Sequence, residues 1–120
     1  MTVMVVVLAE EEVMTAKRVS ILTYEGDRWE GDLVQRKLLT VLSEKGVLTA
    51  TVINCVAGYT KEQGLTTRSL VDGGGRLPVK VEFIASEEQV QCLLPSIRTM
   101  VGKRTLTITD VEIDSPLHAS

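Results

Sequence analysis

Few side chains in this sequence have the type and spacing that catalysis needs. The single histidine, His118, stands near a polar C-terminus, where order is poor, so no imidazole is placed to serve a serine or cysteine nucleophile. Glu10, Glu11 and Glu12 are adjacent and fan in different directions, which suits a solvated charge run rather than a metal site or an acid–base pair. Cys55 and Cys92 lie far apart, without CxxC spacing or histidine companions, and read as reduced, buried, cytoplasmic thiols rather than zinc ligands or a disulfide framework. Gly73, Gly74 and Gly75 are not followed by Gly-Lys-Ser/Thr and lead into a strand, so they offer no helix N-terminus to phosphate. An enzyme is therefore not expected; a small metal-dependent nucleotide hydrolase would need a carboxylate set that the sequence does not supply.

Binding chemistry is better represented. The stretch "GYTKEQGLTTRSLVDGGGR", Gly58 to Arg76, joins two predicted neighbouring strands. A hairpin connection needs ~2–5 residues, and loops beyond ~12–15 are usually functional or disordered. One reading is a floppy surface loop, to which the glycines would contribute. The loop-length argument favours the other, a mobile arm that orders on a ligand or partner, with Tyr59, Lys61, Arg68 and Arg76 as its contacts. A second unusual stretch, "YEGDRWEGDLVQRKLL", sets the only tryptophan, Trp29, among Glu25, Asp27, Arg28, Glu30 and Asp32. A large amphipathic ring in a charged turn is a packing anchor or a contact platform. We take packing first and a subunit contact with Arg28 second. Asp27 or Asp32 is expected to cap the helix that follows.

The elements that must position these residues can be read from periodicity. "RVSILTYE" (18–25) is a strand rich in β-branched residues and ends at Gly26. In "GDLVQRKLLTVLSEKG", Val34, Leu38, Val41 and Leu42 recur at helical spacing, with Gly46 as the stop. "VLTATVINCVAG" (47–58) and "LPVKVEFIA" (77–85) alternate as strands. Ser86 and Gln89 form the pattern of a capping box ahead of Val90, Leu93, Leu94, Ile97 and Val101, a helix that Pro95 should kink. "TLTITDVEI" closes the core as a strand. The order strand, helix, strand, strand, helix, strand predicts an α+β fold, the ferredoxin-like βαββαβ sandwich.

The opening "MTVMVVVLAEEE" reads as an extra N-terminal strand; it is too short and too acidic for a signal peptide or a membrane span. Residues 10–17 could be its turn or a short helix. At 120 residues, with 44% apolar content and a net charge of −3, the chain fits one soluble domain (1–120, core about 18–113, polar tail 115–120). It has no basic surplus for nucleic acid and no segment for membrane insertion. The sheet face that the helices leave uncovered should carry Thr49, Thr51, Ile53, Cys55, Thr105, Thr107 and Thr109. That surface is moderately polar and β-branched, and it predicts a symmetric oligomer.

"DRWEG" after the first strand, "GVLTATV" entering the second, "AGY" at its end and "LPVKVEF" opening the third resemble the PII-like signalling superfamily. The likeness is to the branch known as domain-of-unknown-function family 190, and it spans about Arg18 to Ile113. The resemblance implies a ferredoxin-like subunit in a cytoplasmic homotrimer, with the long arm as a T-loop between strands two and three. It also implies a sensor that binds an adenine nucleotide (ATP, ADP or AMP) at subunit clefts, without a metal site or chemistry of its own. Such a sensor controls a partner protein such as an enzyme or transporter; a ligand-independent interaction module is the alternative. Carried across by position, the nucleotide-binding candidates are Gly58, Tyr59 and Thr60 at the arm base, and Gly102, Lys103 and Arg104 in the turn after the second helix. Lys103 and Arg104 near a helix C-terminus would also complement its dipole with no ligand at all. Adenine stacking on Trp29 ranks third among the readings of that ring. Asn54, Cys55, Thr60 and Thr66 depart from the family pattern.

Overall fold

The computed structural model describes residues 13–68 and 75–114. The extra N-terminal strand, the polar tail and part of the arm expected above lie outside the described residues. Ten elements follow in order: β1 (Val13–Tyr24), β2 (Arg28–Trp29), β3 (Asp32–Leu33), α1 (Val34–Glu44), β4 (Thr49–Asn54), β5 (Ala57–Thr60), β6 (Gly64–Thr67), β7 (Pro78–Ala85), α2 (Glu87–Val101) and β8 (Leu106–Asp114). The main sheet has the order β4-β7-β1-β8, antiparallel throughout, with both helices on one face. This is the βαββαβ sandwich predicted from the element order.

Register follows from burial. Val19 and Ile21 of β1 stand beside Phe83 and Val81 of β7 and face Leu38, Leu42, Leu93 and Ile97 of the two helices, all nearly or fully buried. The side chains of opposite parity form rows on the uncovered face: Thr49, Ile84, Arg18 and Thr109, then Thr51, Glu82, Ser20 and Thr107. Ser20 Oγ donates to Glu82 Oε1 across the second row at 2.7 Å. A one-residue slip would exchange these faces, so the core fixes the rows.

Three expectations are corrected. Residues 13–17 are neither turn nor helix but the first part of β1, which pairs there with Asp110–Asp114 of β8. The thiols are free but not buried: Cys92 is exposed, because the buried stripe of α2 is Val90, Leu93, Ile97 and Val101, and Cys55 is only half-buried. Neither aspartate side chain caps α1. The N-cap residue is Leu33, and the amide of Val34 donates to the backbone carbonyl of Asp27 at 2.9 Å. Asp32 Oδ1 instead takes the Leu33 amide and pairs with Arg36 one turn on. Glu30 (φ 50) and Gly31 (φ 83) turn the chain between β2 and β3, as a two-residue hairpin turn with both central residues left-handed requires. The second helix begins at the expected capping box, with Ser86 and Gln89 bonded in both directions, and it runs on through Pro95.

Candidate functional site

The long connection is not wholly loop. β5 and β6 pair as a short hairpin, with Gly58 opposite Thr66 and Tyr59 opposite Leu65. Its inner face lies against the start of β7. A Cβ on Gly58 would come 2.6 Å from Cγ of Pro78, so a glycine is required for that approach. Tyr59 and Leu65 point outward and are largely exposed. Thr60 fixes the turn that follows: its Oγ1 accepts the Gln63 amide at 3.1 Å and shares a 2.8 Å hydrogen bond with the Tyr24 hydroxyl.

Tyr24 is the last residue of β1 and is 2% exposed. Its position is set by a buried polar lock in which Gln35 Nε2 donates to Thr23 Oγ1 (2.7 Å) and to the Tyr24 carbonyl (3.0 Å), while the Thr23 hydroxyl donates to the Val79 carbonyl (2.6 Å). Over the Tyr24 ring lies Arg104, with its guanidinium carbon 4.9 Å from the centroid, a cation–π distance. Arg104 is delivered by the turn after α2. Gly102 turns there with φ 62, and Arg98 Nη1 braces the turn by donating to the carbonyls of Gly102 (3.0 Å) and Arg104 (2.8 Å).

Asp27 joins these pieces. Arg104 Nε donates to Asp27 Oδ2 (2.8 Å) and Nη2 to Oδ1 (2.7 Å), a two-pronged pair. Arg76, where the arm returns to β7, donates Nη1 to the same Oδ1 (2.9 Å) and to the Glu25 carbonyl (2.9 Å). The Tyr24 amide donates to Oδ2 at 3.0 Å. Partial burial pushes the Asp27 carboxyl up, but the bonds from Arg104, the Tyr24 amide and Arg76 outweigh it and hold the group below the ordinary aspartate range. The same bond to Asp27, opposed by burial, keeps Arg104 more firmly protonated than usual.

Two clefts meet at Arg104. One, of about 270 Å³, is lined by Asp27, Arg28, Glu62, Met100, Lys103 and Arg104 among others. The second, of about 230 Å³, is bordered by Tyr24, Thr60, Lys61, Glu62 and Arg104 among others. The structure thus brings Thr60 and Lys61 of the arm to Lys103 and Arg104 of the turn, with Arg76 tied in through Asp27. Gly58 serves the approach to Pro78, and Gly102 the turn. Tyr59 faces away, and Arg68 is exposed and borders neither cleft. Arg28 lines the first cleft and donates to the Gly31 carbonyl (3.0 Å), whereas the half-buried Trp29 packs on the core beside it. The sequence reading missed Tyr24, Glu62 and Arg98, and gave Asp27 a local role. No spacing rule links Asp27 to Arg104 across 77 positions; the only signal was that Asp27 opens "DRWEG". No group of metal-ligating side chains occurs among the described residues, and no helix there is long and apolar enough to cross a membrane.

This fold is that of the PII-like, ferredoxin-type proteins. The CPII protein of Thiomonas intermedia K12, in a structure bound to ADP, AMP and acetate, superposes with a TM-score of 0.62 at 13% identity, covering 88% of this chain and 95% of that one. A Thermus thermophilus protein described as a putative PII-like signalling protein gives 0.53 at 17% identity, over 85% and 90% of the two chains. Within that class the chain belongs to the DUF190 family ("Uncharacterized ACR"), which it matches over residues 16–113. The UPF0166 protein of Aquifex aeolicus is 34% identical over 103 residues, 84% of this chain and 95% of its own length. A UPF0166 protein of Methanocaldococcus jannaschii is 29% identical over 99 residues, 82% and 91% of the two.

Proposed function

We propose that this chain is a single-domain PII-like regulator that binds an adenine nucleotide and does no chemistry of its own. The observation that carries this reading is the meeting of the arm base with the cationic turn after α2, over the Tyr24 ring. Lys103 and Arg104 supply charge for a phosphate, and Thr60 and Lys61 place the arm where it can respond. CPII, with the same fold, is seen with ADP and AMP. The rows of threonine and serine with Arg18 and Glu82 on the helix-free face suit a sheet-to-sheet contact, so we place the subunit in a cytoplasmic homotrimer with clefts completed by neighbours. The arm, 58–76, presents Lys61, Arg68 and the exposed Tyr59 to a protein partner of the enzyme or transporter kind. Differential binding of the nucleotide to two arm positions is the switch.

A second reading has its own support. The hairpin is seated on Pro78 and bonded to Tyr24 by the chain alone, as an arm that binds its partner constitutively would be. Titration calorimetry with ATP, ADP, AMP and cyclic AMP, with and without magnesium, separates the two. Saturable binding at one site per subunit, weakened at least tenfold when Lys103 and Arg104 are both changed to Ala, supports the sensor. Absence of binding by all four transfers the case to the constitutive module.

A further inference from the structure

Glu62 belongs to the arm, yet it borders both clefts at Arg104. It gets there because the Thr60 hydroxyl accepts the Gln63 amide and bonds Tyr24, which pins the turn 61–63 against the ring that carries Arg104. Among the described residues Glu62 makes no hydrogen bond or ion pair within contact distance, in contrast to Asp27, whose two oxygens are fully engaged. Its charge nevertheless acts on Arg104, as the last of several influences that keep that guanidinium cationic. The first cleft therefore sets Arg28, Lys103 and Arg104 against Asp27 and Glu62. Of these two carboxylates only Glu62 is carried by the arm.

We propose that Glu62 is the arm's internal counter-ion for the Arg104 cleft, and that a phosphate-bearing anion bound there expels it and so releases the arm turn. The inference rests on the nucleotide reading for the identity of the anion, but not for the anchoring of the arm. A like charge arriving beside Glu62 removes its attraction to Arg104 and adds repulsion. At separations of several ångströms in a solvent-facing site this is worth about a three- to tenfold change in anion affinity, and it fades with salt over a Debye length of ~8–10 Å.

The experiment is hydrogen exchange over residues 57–67, with and without ADP, in wild type and in Glu62→Gln, alongside ADP titration at low and high salt. Glu62 is on an exposed turn, so the substitution leaves the core untouched. In wild type, ADP should speed exchange of the arm turn. In Glu62→Gln the turn should already exchange faster without ADP, ADP should add little, and ADP should bind about three- to tenfold tighter at low salt. Wild-type exchange and unchanged ADP affinity in Glu62→Gln would overturn the inference while leaving nucleotide binding intact. If wild type binds no ADP, the nucleotide reading fails separately. Faster exchange in the ligand-free variant would then still uphold Glu62 as the arm's anchor, and unchanged exchange would remove it.

Discussion

Replacing Asp27 by Asn tests the junction on which the site is built. The side chains of Asp27 and Arg104 are only 14% and 17% exposed, so their attraction is screened less than that of a surface pair. A hydrogen bond to a charged group contributes ~1.5–3 kcal/mol, and breaking a fully buried ion pair costs ~3–5 kcal/mol. The Arg76 branch is 43% exposed and adds little. Asn keeps one neutral acceptor and the shape. The expected loss is therefore about 2–3 kcal/mol, which at a urea dependence of ~1–2 kcal/mol per molar lowers the unfolding midpoint by roughly 1–3 M. Protein concentration must be fixed, because association would contribute. A cycle with Arg104→Gln should show a coupling of about 1–3 kcal/mol. The pH dependence has a definite sign. Because the folded-state pKa of Asp27 is depressed, its contribution is complete above the ordinary aspartate value of ~3.9 and is lost as pH falls through the lower folded value. Asp27→Asn should therefore flatten the acid limb of the stability profile below about pH 4. Additivity of the two substitutions to within ~0.5 kcal/mol, or an unchanged acid limb, would refute the account of Asp27 as the junction.

Two further outcomes follow from packing. Gly58→Ala must push the β5–β6 hairpin off Pro78; overpacking of this kind costs ~1–3 kcal/mol where the neighbour is held. Here we expect it mainly as faster hydrogen exchange over 57–67, with the melting temperature of the core little changed. Trp29→Ala removes a half-buried ring from the edge of the core and should cost about 2–3 kcal/mol, less than the ~3–5 of a fully buried aromatic. Circular dichroism melting reads this loss, and ADP affinity should be unaffected because Trp29 does not line either cleft.

What could be read from the sequence was what short-range rules decide. Ser86 and Gln89 are three residues apart, and no distant group competes for their capping box, so α2 begins where its sequence says. The alternation Val79, Val81, Phe83 likewise fixed β7 and its inward face. The stretch 13–17 has no such internal pattern, and becomes strand only because Asp110–Asp114 runs beside it. Asp27 shows the opposite failure: a local rule offered it as a helix cap, but two guanidinium groups from far along the chain outcompete the helix amides. The hairpin β5–β6 was hidden because its turn, "KEQG", lacks the Asn-Gly or Asp-Gly signature, and because its seat is Pro78, outside the loop.

The sheet order β4-β7-β1-β8 sets a schedule as well as a shape. β1 is synthesised early, yet both strands that flank it, β7 and β8, come from the second half of the chain. Its two hydrogen-bonding edges stay open on the ribosome until residues 78–85 and then 106–114 have emerged. The pairing of Val13 with Asp114 closes one of the longest loops this chain can form. Folding is therefore expected to be late, concerted and comparatively slow for a domain of this size. A chain stopped before β8 would display the bare edge of β1, an invitation to pair with another unfinished copy.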